Sequence, residues 1–179
     1  TLVYRWGEGA SATLDASRTT PEATELQPML GALVAEGGTA ATLECSSHSL
    51  WLERLAGCRF DVAVFLNLTR DHLDDHGTME AYFEEKAKLF SMLKPGGFGV
   101  VNADDPWGRK LLARLPRATT LSFSLAGEGD VVGAARLSSS GIALCVERPA
   151  TGATVEITSP LLGAPTAENL LAAAAAALA

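Results

Sequence analysis

Residues 62–102, VAVFLNLTRDHLDDHGTMEAYFEEKAKLFSMLKPGGFGVVN, decide the fold of this chain. The stretch begins and ends with short apolar runs, at 62–66 and 98–102, of the kind that form strands buried on both faces of a parallel sheet. Between them, residues 79–93 have the apolar spacing of a helix, which the segment Lys94-Pro95-Gly96-Gly97 is expected to end. The order of strand, helix and strand predicts a βαβ unit.

The sequence on either side extends this pattern. Upstream, residues 40–44 are predicted to form another strand, and residues 21–36 a helix that begins at the cap signal Thr19-Thr20-Pro21. Downstream, residues 119–159 alternate between apolar and polar positions, with glycine and serine turns, which predicts a small antiparallel sheet. Thr166-Ala167-Glu168 then leads into an alanine-leucine helix. The expected fold is α/β, with a mostly parallel Rossmann-like sheet flanked by helices and a small antiparallel sheet appended.

The composition excludes several classes of function. With 47% hydrophobic and 20% charged residues, the 179-residue chain has the make-up of one globular domain. A net charge of −7 argues against broad binding to nucleic acid or to an anionic membrane surface. The apolar run at 170–179 is about half as long as a membrane-spanning helix requires. The cysteines Cys45, Cys58 and Cys145 form no CxxC pair, so neither a zinc site nor a disulfide framework is expected, and a cytoplasmic protein fits best.

One side chain does not fit the predicted central helix. Lys86 shares the inward face of that helix with Met79, Phe83, Phe90 and Leu93. An ammonium group is almost never fully buried without a partner, and desolvation lowers its pKa. Either the lysine stem crosses the apolar face and the amine pairs with an acid at the surface, or the amine is a reactive group.

Acidic residues and histidines follow two of the predicted strands. Residues 44–48, ECSSH, end the first strand, and residues 71–76, DHLDDH, come after the second. Ligands meet parallel sheets at the carboxyl ends of their strands, and oxygen and imidazole donors together suit a divalent cation. An acidic turn with histidines is also a common helix cap, and His48 or His76 alone fits a hydrogen-bonded structural role. The residue types therefore leave a metal site and a structural arrangement both open.

The stretch at 42–90, TLECSSHSLWLERLAGCRFDVAVFLNLTRDHLDDHGTMEAYFEEKAKLF, closely resembles the central domain of MurE ligases. These ligases carry E-V-S-S-H-A-L, then F-T-N-L-T-R-D-H-L-D-x-H-G, then a helix with a lysine, at the same spacing. The likeness continues at Thr19-Thr20-Pro21, at residues 102–105 (NADD) and at residues 159–164 (SPLLGA). The resemblance implies the P-loop-type fold of the Mur ligase central domain.

The resemblance also implies an ATP-dependent ligase of peptidoglycan synthesis. Such ligases convert a carboxylate of UDP-MurNAc-L-Ala-D-Glu into an acyl phosphate and join it to the amine of meso-diaminopimelate or L-lysine. In similar ligases the lysine that matches Lys86 is carbamylated, and the resulting anion helps to place Mg²⁺ at the ATP γ-phosphate. Glu44 and His72 match the magnesium surroundings, and His72 and Lys86 are the expected catalytic residues. A desolvated lysine suits this role, because only the neutral amine reacts with carbon dioxide.

Four residues match positions that hold the UDP-MurNAc-dipeptide, namely Thr19, Thr20, Ser46 and Arg54. Hydroxyl groups and a guanidinium suit carboxylate or diphosphate oxygens. Structural alternatives exist, because the threonines and Ser46 also fit helix caps, and Arg54 fits the outer face of a helix. Leu52 stands where the family usually has a substrate-contacting glutamine, so contacts at that position are expected to differ.

Three residues match the nucleotide side of the family's site: Asn102, Asp105 and Asn169. An Asn-x-Asp-Asp segment is also ordinary turn chemistry, so the first two have a structural alternative. Pro165-Thr166 replaces the usual Phe-Asn before Asn169, which points to altered adenine contacts or to a diverged paralogue.

By this resemblance, residues 1–179 are expected to be a partial central domain. The glycine-rich phosphate loop G-T-N-G-K-T-T, an N-terminal UDP-binding domain and a C-terminal domain that selects the amino acid are expected outside the chain. These residues alone should therefore bind ATP poorly and catalyse nothing, while the whole enzyme is expected to act as a monomer. A second hypothesis is a diverged ligase-like protein that binds nucleotide or cell-wall precursor without catalysis.

Overall fold

The computed structural model gives the structure of the protein over most of the chain. It describes residues 2–6, 10–14, 18–70 and 76–179. For residues 2–6 and 10–14 the description covers the backbone alone. Residues 71–75, and with them the predicted site residue His72, lie outside the described residues.

The chain divides into two compact units. The first unit is formed by Thr1–Cys58 and Asp74–Leu89, and it contains an antiparallel pair of strands in which Leu2 lies opposite Leu14. Its described elements are β1 (Leu2–Trp6), β2 (Ala10–Leu14), α1 (Ala23–Ala35), α2 (Ser47–Trp51) and nearly all of α3 (Met79–Ser91). Helix α3 carries Lys86.

Helix α1 begins later than the sequence pattern suggests. The predicted start was Pro21, with the preceding threonines as caps, but the helix begins at Ala23 and Glu22 is its N-cap. Glu22 and Glu25 form a capping box, in which the Glu22 N–H donates to Glu25 Oε2 at 3.0 Å. Because this acidic pair satisfies the first N–H groups of the helix, the threonine hydroxyls are available for other contacts.

The prediction of a strand at residues 40–44 is wrong. The segment has no regular secondary structure, and most of it is exposed. A strand persists only where a neighbour pairs with its N–H and C=O groups, and the sheets found among the described residues do not include this segment. Instead, the Thr20 hydroxyl donates to the Glu44 carbonyl oxygen at 2.7 Å. The apolar pattern could not reveal whether a partner strand lies alongside.

The second unit, Arg59–Leu73 with Phe90–Ala179, contains one continuous sheet of six strands in sequence order. The strands are β3 (Phe60–Phe65), β4 (Leu93–Asn102), β5 (Thr120–Ser124), β6 (Val131–Ser138), β7 (Gly141–Arg148) and β8 (Ala153–Ser159). The helical elements are α4 (Pro106–Leu112), a 3₁₀ turn (Arg117–Thr119) and α5 (Ala164–Ala177).

The pairing directions confirm the predicted α/β class. Strands β3 to β6 pair in parallel, and β6, β7 and β8 pair antiparallel. The prediction for residues 119–159 is wrong in one respect, because β5 joins the parallel part of the sheet and the antiparallel part begins only at the β6–β7 pair. Strand β5 follows a helical connection from β4, and such a crossover places consecutive strands in parallel.

Strand β4 begins at Leu93 and not at the predicted residue 98. Leu93 lies opposite Phe60, and Phe98 lies opposite Val62, so the residues between them bulge out of the ladder. Gly96 has φ +81° there, a left-handed conformation that favours glycine. Helix α3 therefore ends at Ser91, because the Phe60 N–H donates to the Met92 carbonyl at 3.1 Å and draws the chain into the sheet before the turn.

Helix α5 and the sheet enclose the core of the second unit. The helix contributes the buried residues Ala167, Leu171, Ala172 and Ala175. The strands contribute Val100, Leu121, Phe123, Val131, Ile142, Leu144 and Val146. The apolar end of the chain is thus a core helix, and no helix within the described ranges is long and apolar enough to cross a membrane.

We expect Leu171→Ala to lower the free energy of unfolding by about 2–5 kcal/mol, because Leu171 is fully buried and its removal leaves a cavity. Urea unfolding followed by circular dichroism measures the change. The matched control is Leu162→Ala, since Leu162 is 58% exposed and its loss should change stability by less than about 0.5 kcal/mol. Equal effects of the two substitutions would contradict this packing.

Two glycine-to-alanine substitutions should change stability in opposite directions. A Cβ on Gly108, in α4, would lie 1.9 Å from the Asn102 carbonyl oxygen, so Gly108→Ala should destabilise the protein by at least ~1 kcal/mol. Gly31 lies inside α1, and an added Cβ would meet no atom within 4 Å apart from its chain neighbours and the helix's own backbone, so Gly31→Ala should stabilise the protein by about 0.5–1 kcal/mol. Thermal unfolding of both variants tests the signs.

Candidate active site

Lys86 lies in a partly desolvated position on α3. The helix buries Phe83 and Phe90 on its inward face, and Lys86 is half-buried beside them. Burial lowers the pKa of Lys86 below that of an ordinary lysine, and the nearby Glu44 carboxylate and Cys45 thiol partly offset that effect. The lowered pKa expected from the helical pattern is confirmed.

The segment that carries Glu44 is fixed by Thr20. The Thr20 side chain is 1% exposed, and its hydroxyl donates to the Glu44 carbonyl oxygen at 2.7 Å. The same hydroxyl oxygen lies 3.5 Å from the Ser46 backbone N–H, which donates to it. The Glu44 residue itself is exposed. Glu44 is therefore accessible to solvent, and the buried Thr20 hydroxyl fixes the position of its backbone.

Ser46 is the N-cap of α2. Its Oγ accepts a hydrogen bond from the Ser49 N–H at 3.1 Å, and the Ser49 hydroxyl donates to the Ser46 carbonyl at 2.6 Å. Ser46 therefore does cap a helix, which is the structural role that the sequence left open for it. A hydroxyl oxygen has a second lone pair and its own proton, so capping leaves Ser46 able to bind a ligand as well.

Arg54 contacts the turn that precedes α1. Its Nε lies 3.0 Å from Glu22 Oε1, and 14% of the Arg54 side chain is exposed. The Nε–H is not directed at that oxygen and is buried without a hydrogen-bond partner, so the contact is an ion pair only. Glu22 also pairs with Arg18 at 3.4 Å. Thr19 is exposed and precedes Glu22 in the turn before α1.

The Tyr82 ring, which the sequence analysis did not single out, lies beside Lys86 and links it to the two predicted histidines that the structure describes. The Tyr82 ring centroid is 5.5 Å from Lys86 Nζ, and the His76 imidazole stacks on the Tyr82 ring at 4.8 Å with an interplanar angle of 10°. His76 Nε2 is 3.0 Å from Ser47 Oγ, and the His48 ring is 5.8 Å from the His76 ring. The spacing of four residues between Tyr82 and Lys86 is the signal that could have revealed the contact.

The predicted magnesium ligands can be compared with the side chains that the structure describes. Among the side chains at 18–70 and 76–179, no three His, Cys, Asp or Glu groups are arranged to hold a metal ion. Glu44 offers a carboxylate, whereas an ammonium at Lys86 would repel a cation. As a carbamate, Lys86 would present oxygen donors, which Mg²⁺ prefers. The donor chemistry fits magnesium once the lysine is carbamylated, and His72 lies outside the described residues.

Cys45 does not compete with Lys86 as a nucleophile. The pKa of the Cys45 thiol is raised to about 11, mainly by burial, with smaller contributions from Cys58 and Glu44 that raise it and from Lys86 that lowers it. The reactive form of a cysteine is the thiolate, so this thiol is inert at neutral pH. Burial therefore favours the neutral form of both side chains, which makes the thiol less nucleophilic and the amine more so.

In the second unit, Asn102 and Asp105 lie where β4 passes into α4. Asp105 Oδ1 accepts from the N–H groups of Trp107 and Gly108, both at 2.9 Å, and its Oδ2 is 3.4 Å from the Leu68 N–H. Asn102 is 3% exposed, and its Oδ1 accepts from the Asp104 N–H at 2.9 Å. Asn102 and Asp105 therefore do have the structural role in a turn that the sequence left open. Their hydrogen bonds fix the loop at the carboxyl end of β4.

The neighbouring carboxylate of Asp104 organises the loop after β5. Its Oδ1 accepts from the Ser124 hydroxyl at 2.6 Å, and its Oδ2 accepts from the Leu125 N–H at 2.7 Å. Two adjacent strand ends are therefore linked through one carboxylate. Asn169 lies on α5 and is exposed, so its amide is accessible from solvent.

Comparison with known proteins places these features in a family. Residues 1–177 match the family described as the Mur ligase middle domain. The chain is similar to a UDP-N-acetylmuramoyl-L-alanyl-D-glutamate–2,6-diaminopimelate ligase of Synechococcus elongatus, with 44% identity over 98% of the chain. It spans 35% of the length of that relative.

Two solved structures support the same placement. A UDP-N-acetylmuramoyl-L-alanyl-D-glutamate–2,6-diaminopimelate ligase superposes with a TM-score of 0.76 and 38% identity, over 88% of this chain and 33% of that one. The MurF ligase from Thermotoga maritima in complex with ADP superposes with a TM-score of 0.54 and 27% identity, over 75% of this chain and 30% of that one. Because the family match covers nearly its whole length and its fold is that of a solved relative, this chain belongs to the Mur ligases and corresponds to their middle domain.

Proposed function

We propose that the protein containing this chain is an ATP-dependent ligase that joins 2,6-diaminopimelate to UDP-N-acetylmuramoyl-L-alanyl-D-glutamate. The names of its relatives support the substrates and favour diaminopimelate over lysine as the added amino acid. The half-buried Lys86 beside Glu44 supports the chemistry, and it is the observation that carries the proposal. An apolar side chain would fill that position better if packing were its only role.

Lys86 serves this reaction as a carbamate. Its lowered pKa raises the share of neutral amine at any given pH. The nitrogen lone pair forms a bond to the carbon of carbon dioxide, one C–O π bond opens to give a carboxylate oxygen, and a proton leaves the nitrogen for solvent. An anion then replaces a cation near Glu44.

Glu44, the Lys86 carbamate and His72 would hold Mg²⁺. Bound magnesium would neutralise charge on the phosphate oxygens of ATP. Thr20 positions Glu44 through its hydrogen bond to the Glu44 carbonyl oxygen, so the carboxylate starts from a fixed backbone. Thr20 thereby contributes to the site from a buried position, in addition to the substrate contact that the resemblance implies.

Thr19, Ser46 and Arg54 would orient the dipeptide. A guanidinium and two hydroxyls suit carboxylate oxygens, and the ion pair with Glu22 limits the freedom of Arg54. The oriented substrate carboxylate attacks the γ-phosphorus of ATP, which forms an acyl phosphate and releases ADP. The amine of diaminopimelate then attacks the acyl carbon, phosphate leaves, and an amide remains.

Asn102, Asp105 and Asn169 would form the nucleotide side. The solved relative that contains ADP supports a nucleotide as ligand. Asp105 caps α4 with one oxygen and meets the Leu68 N–H with the other, so its contribution is to hold the loop at the end of β4 in place. Asn169 is exposed and has its amide free to approach a ligand from solvent.

In the full-length protein, Lys86→Arg should lower kcat for amide formation by about 100-fold or more, because arginine stays cationic and cannot become a carbamate. The matched control is Lys88→Arg on the same helix. Lys88 Nζ lies 2.7 Å from Glu85 Oε1, and arginine can keep that ion pair, so activity should stay within about twofold. The rate of phosphate release measures the turnover of both variants. Unchanged turnover in Lys86→Arg would refute the proposed chemistry, and no turnover in the wild type would favour a non-catalytic binding protein.

The carbamate itself should be visible by carbon-13 NMR in labelled bicarbonate. The signal should increase as the pH rises through the pKa of Lys86, which burial places below that of an ordinary lysine, because the reactive amine is the deprotonated form. The signal should persist in Lys88→Arg and disappear in Lys86→Arg. A wild-type protein without any carbamate signal over this range would contradict the role given to Lys86.

A further inference from the structure

The Tyr82 ring is in direct contact with the reactive lysine. Tyr82 lies one helical turn before Lys86 on α3, and Lys86 Nζ is 5.5 Å from the ring centroid. Only 6% of Tyr82 is exposed, so its ring has little freedom to move away. The side chain of Lys86 therefore has an ordered aromatic surface on one side.

The Tyr82 ring is itself fixed from outside its helix. The His76 imidazole stacks on it at 4.8 Å and nearly in parallel, at 10°. His76 Nε2 is in turn 3.0 Å from the hydroxyl of Ser47, which is 2% exposed and begins α2. Contacts between side chains thus run from α2 through two stacked rings to Lys86.

We propose that Tyr82 is a positioning residue for Lys86, and that His76 and Ser47 hold the Tyr82 ring in the orientation that this requires. The inference rests on the proposed ligase function and extends it. None of the three residues is assigned to metal, nucleotide or substrate in that proposal. Their effect is exerted through Lys86.

The lysine needs such a surface because its stem is flexible. A four-carbon side chain with free rotation places its terminal nitrogen in many positions, and ordering it costs about 2 kcal/mol of rotamer entropy. Packing against a fixed ring removes part of that freedom before substrates bind. A carbamate held in one orientation is also less exposed to water and proton donors than one that swings freely, so it loses carbon dioxide less readily.

The ring orients the lysine but does not activate it. The face of an aromatic ring attracts a cation, so the contact with Tyr82 favours the ammonium form and opposes loss of the proton. Burial of Lys86 acts in the other direction, because desolvation lowers the pKa of its amine. Loss of the ring should therefore harm the reaction through orientation, even though it removes a contact that favours the unreactive form.

The same contacts link the two segments that carry the magnesium donors. Ser47 lies three residues after Glu44 in sequence, and the Glu44 backbone is held by Thr20. Lys86 is reached from Ser47 through His76 and Tyr82. A displacement of the stacked rings would change the position of Lys86 relative to Glu44, and both are needed at one metal ion.

The test compares Tyr82→Leu with Tyr82→Phe in the full-length ligase. Leucine removes the ring face, and phenylalanine keeps it. We expect Tyr82→Leu to lower kcat by about 10- to 100-fold, because displacing a catalytic group by about 1 Å has an effect of that order, with KM for the dipeptide unchanged. Tyr82→Phe should retain kcat within about threefold, since the ring itself is kept.

A third variant tests the support of the Tyr82 ring. His76→Gln keeps a hydrogen-bonding group for Ser47 but removes the ring that stacks on Tyr82, and it should lower kcat by about 2- to 10-fold.

Bicarbonate dependence separates positioning from simple loss of stability. Tyr82→Leu should need more bicarbonate than the wild type for half-maximal activity and should show a weaker carbamate signal at equal concentration. A lower thermal midpoint with unchanged bicarbonate dependence in Tyr82→Leu and His76→Gln would overturn the proposal. So would wild-type kcat in both variants. If the wild type itself carries no carbamate, the proposed function fails first, and this outcome is distinct from a carbamylated wild type that Tyr82→Leu leaves unaffected.

Discussion

The desolvation of one amine is the constraint on which the rest of the candidate site depends. Lys86 is held half-buried because α3 must bury Phe83 and Phe90 on the same face, and burial disfavours its charged form. The nearby Glu44 carboxylate limits that effect without reversing it. In the first unit, burial thus lowers the pKa of the Lys86 amine and raises the pKa of the Cys45 thiol to about 11. Burial makes the amine more reactive and the thiol less so.

In each unit, buried or partly buried polar side chains fix the backbone near the predicted site residues. Thr20 holds the Glu44 carbonyl, and Ser46 caps α2 through one lone pair. In the second unit, Asp104 and Asp105 use their carboxylates to fix the loops at adjacent strand ends. The structural alternatives considered for these residues are therefore compatible with function, because a group that holds a loop in place also determines where its neighbours lie.

The sequence-based errors share a physical cause. Residues 40–44 have the composition of a buried strand, but a strand also needs a partner, and pairing is a property of distant segments. Strand β4 includes the Lys94-Pro95-Gly96-Gly97 turn because the ladder resumes on either side of a bulge. Helix α1 begins after Glu22 because Glu22 and Glu25 form its capping box, while the Thr20 hydroxyl bonds to the Glu44 carbonyl instead. In each case hydrogen bonds, made or missing, decided the structure against the prediction from the local sequence pattern.

The sequence by itself determined the α/β class, the helix around Lys86, the place of that lysine on the inward face of the helix and the family of the chain, because apolar periodicity and motif spacing are local quantities. Tertiary structure alone decided that β5 pairs in parallel, that Thr20 reaches the Glu44 carbonyl, and that His76 stacks on Tyr82 beside Lys86. These contacts join residues on different elements. Their geometry follows from how elements pack and pair, which no local pattern encodes.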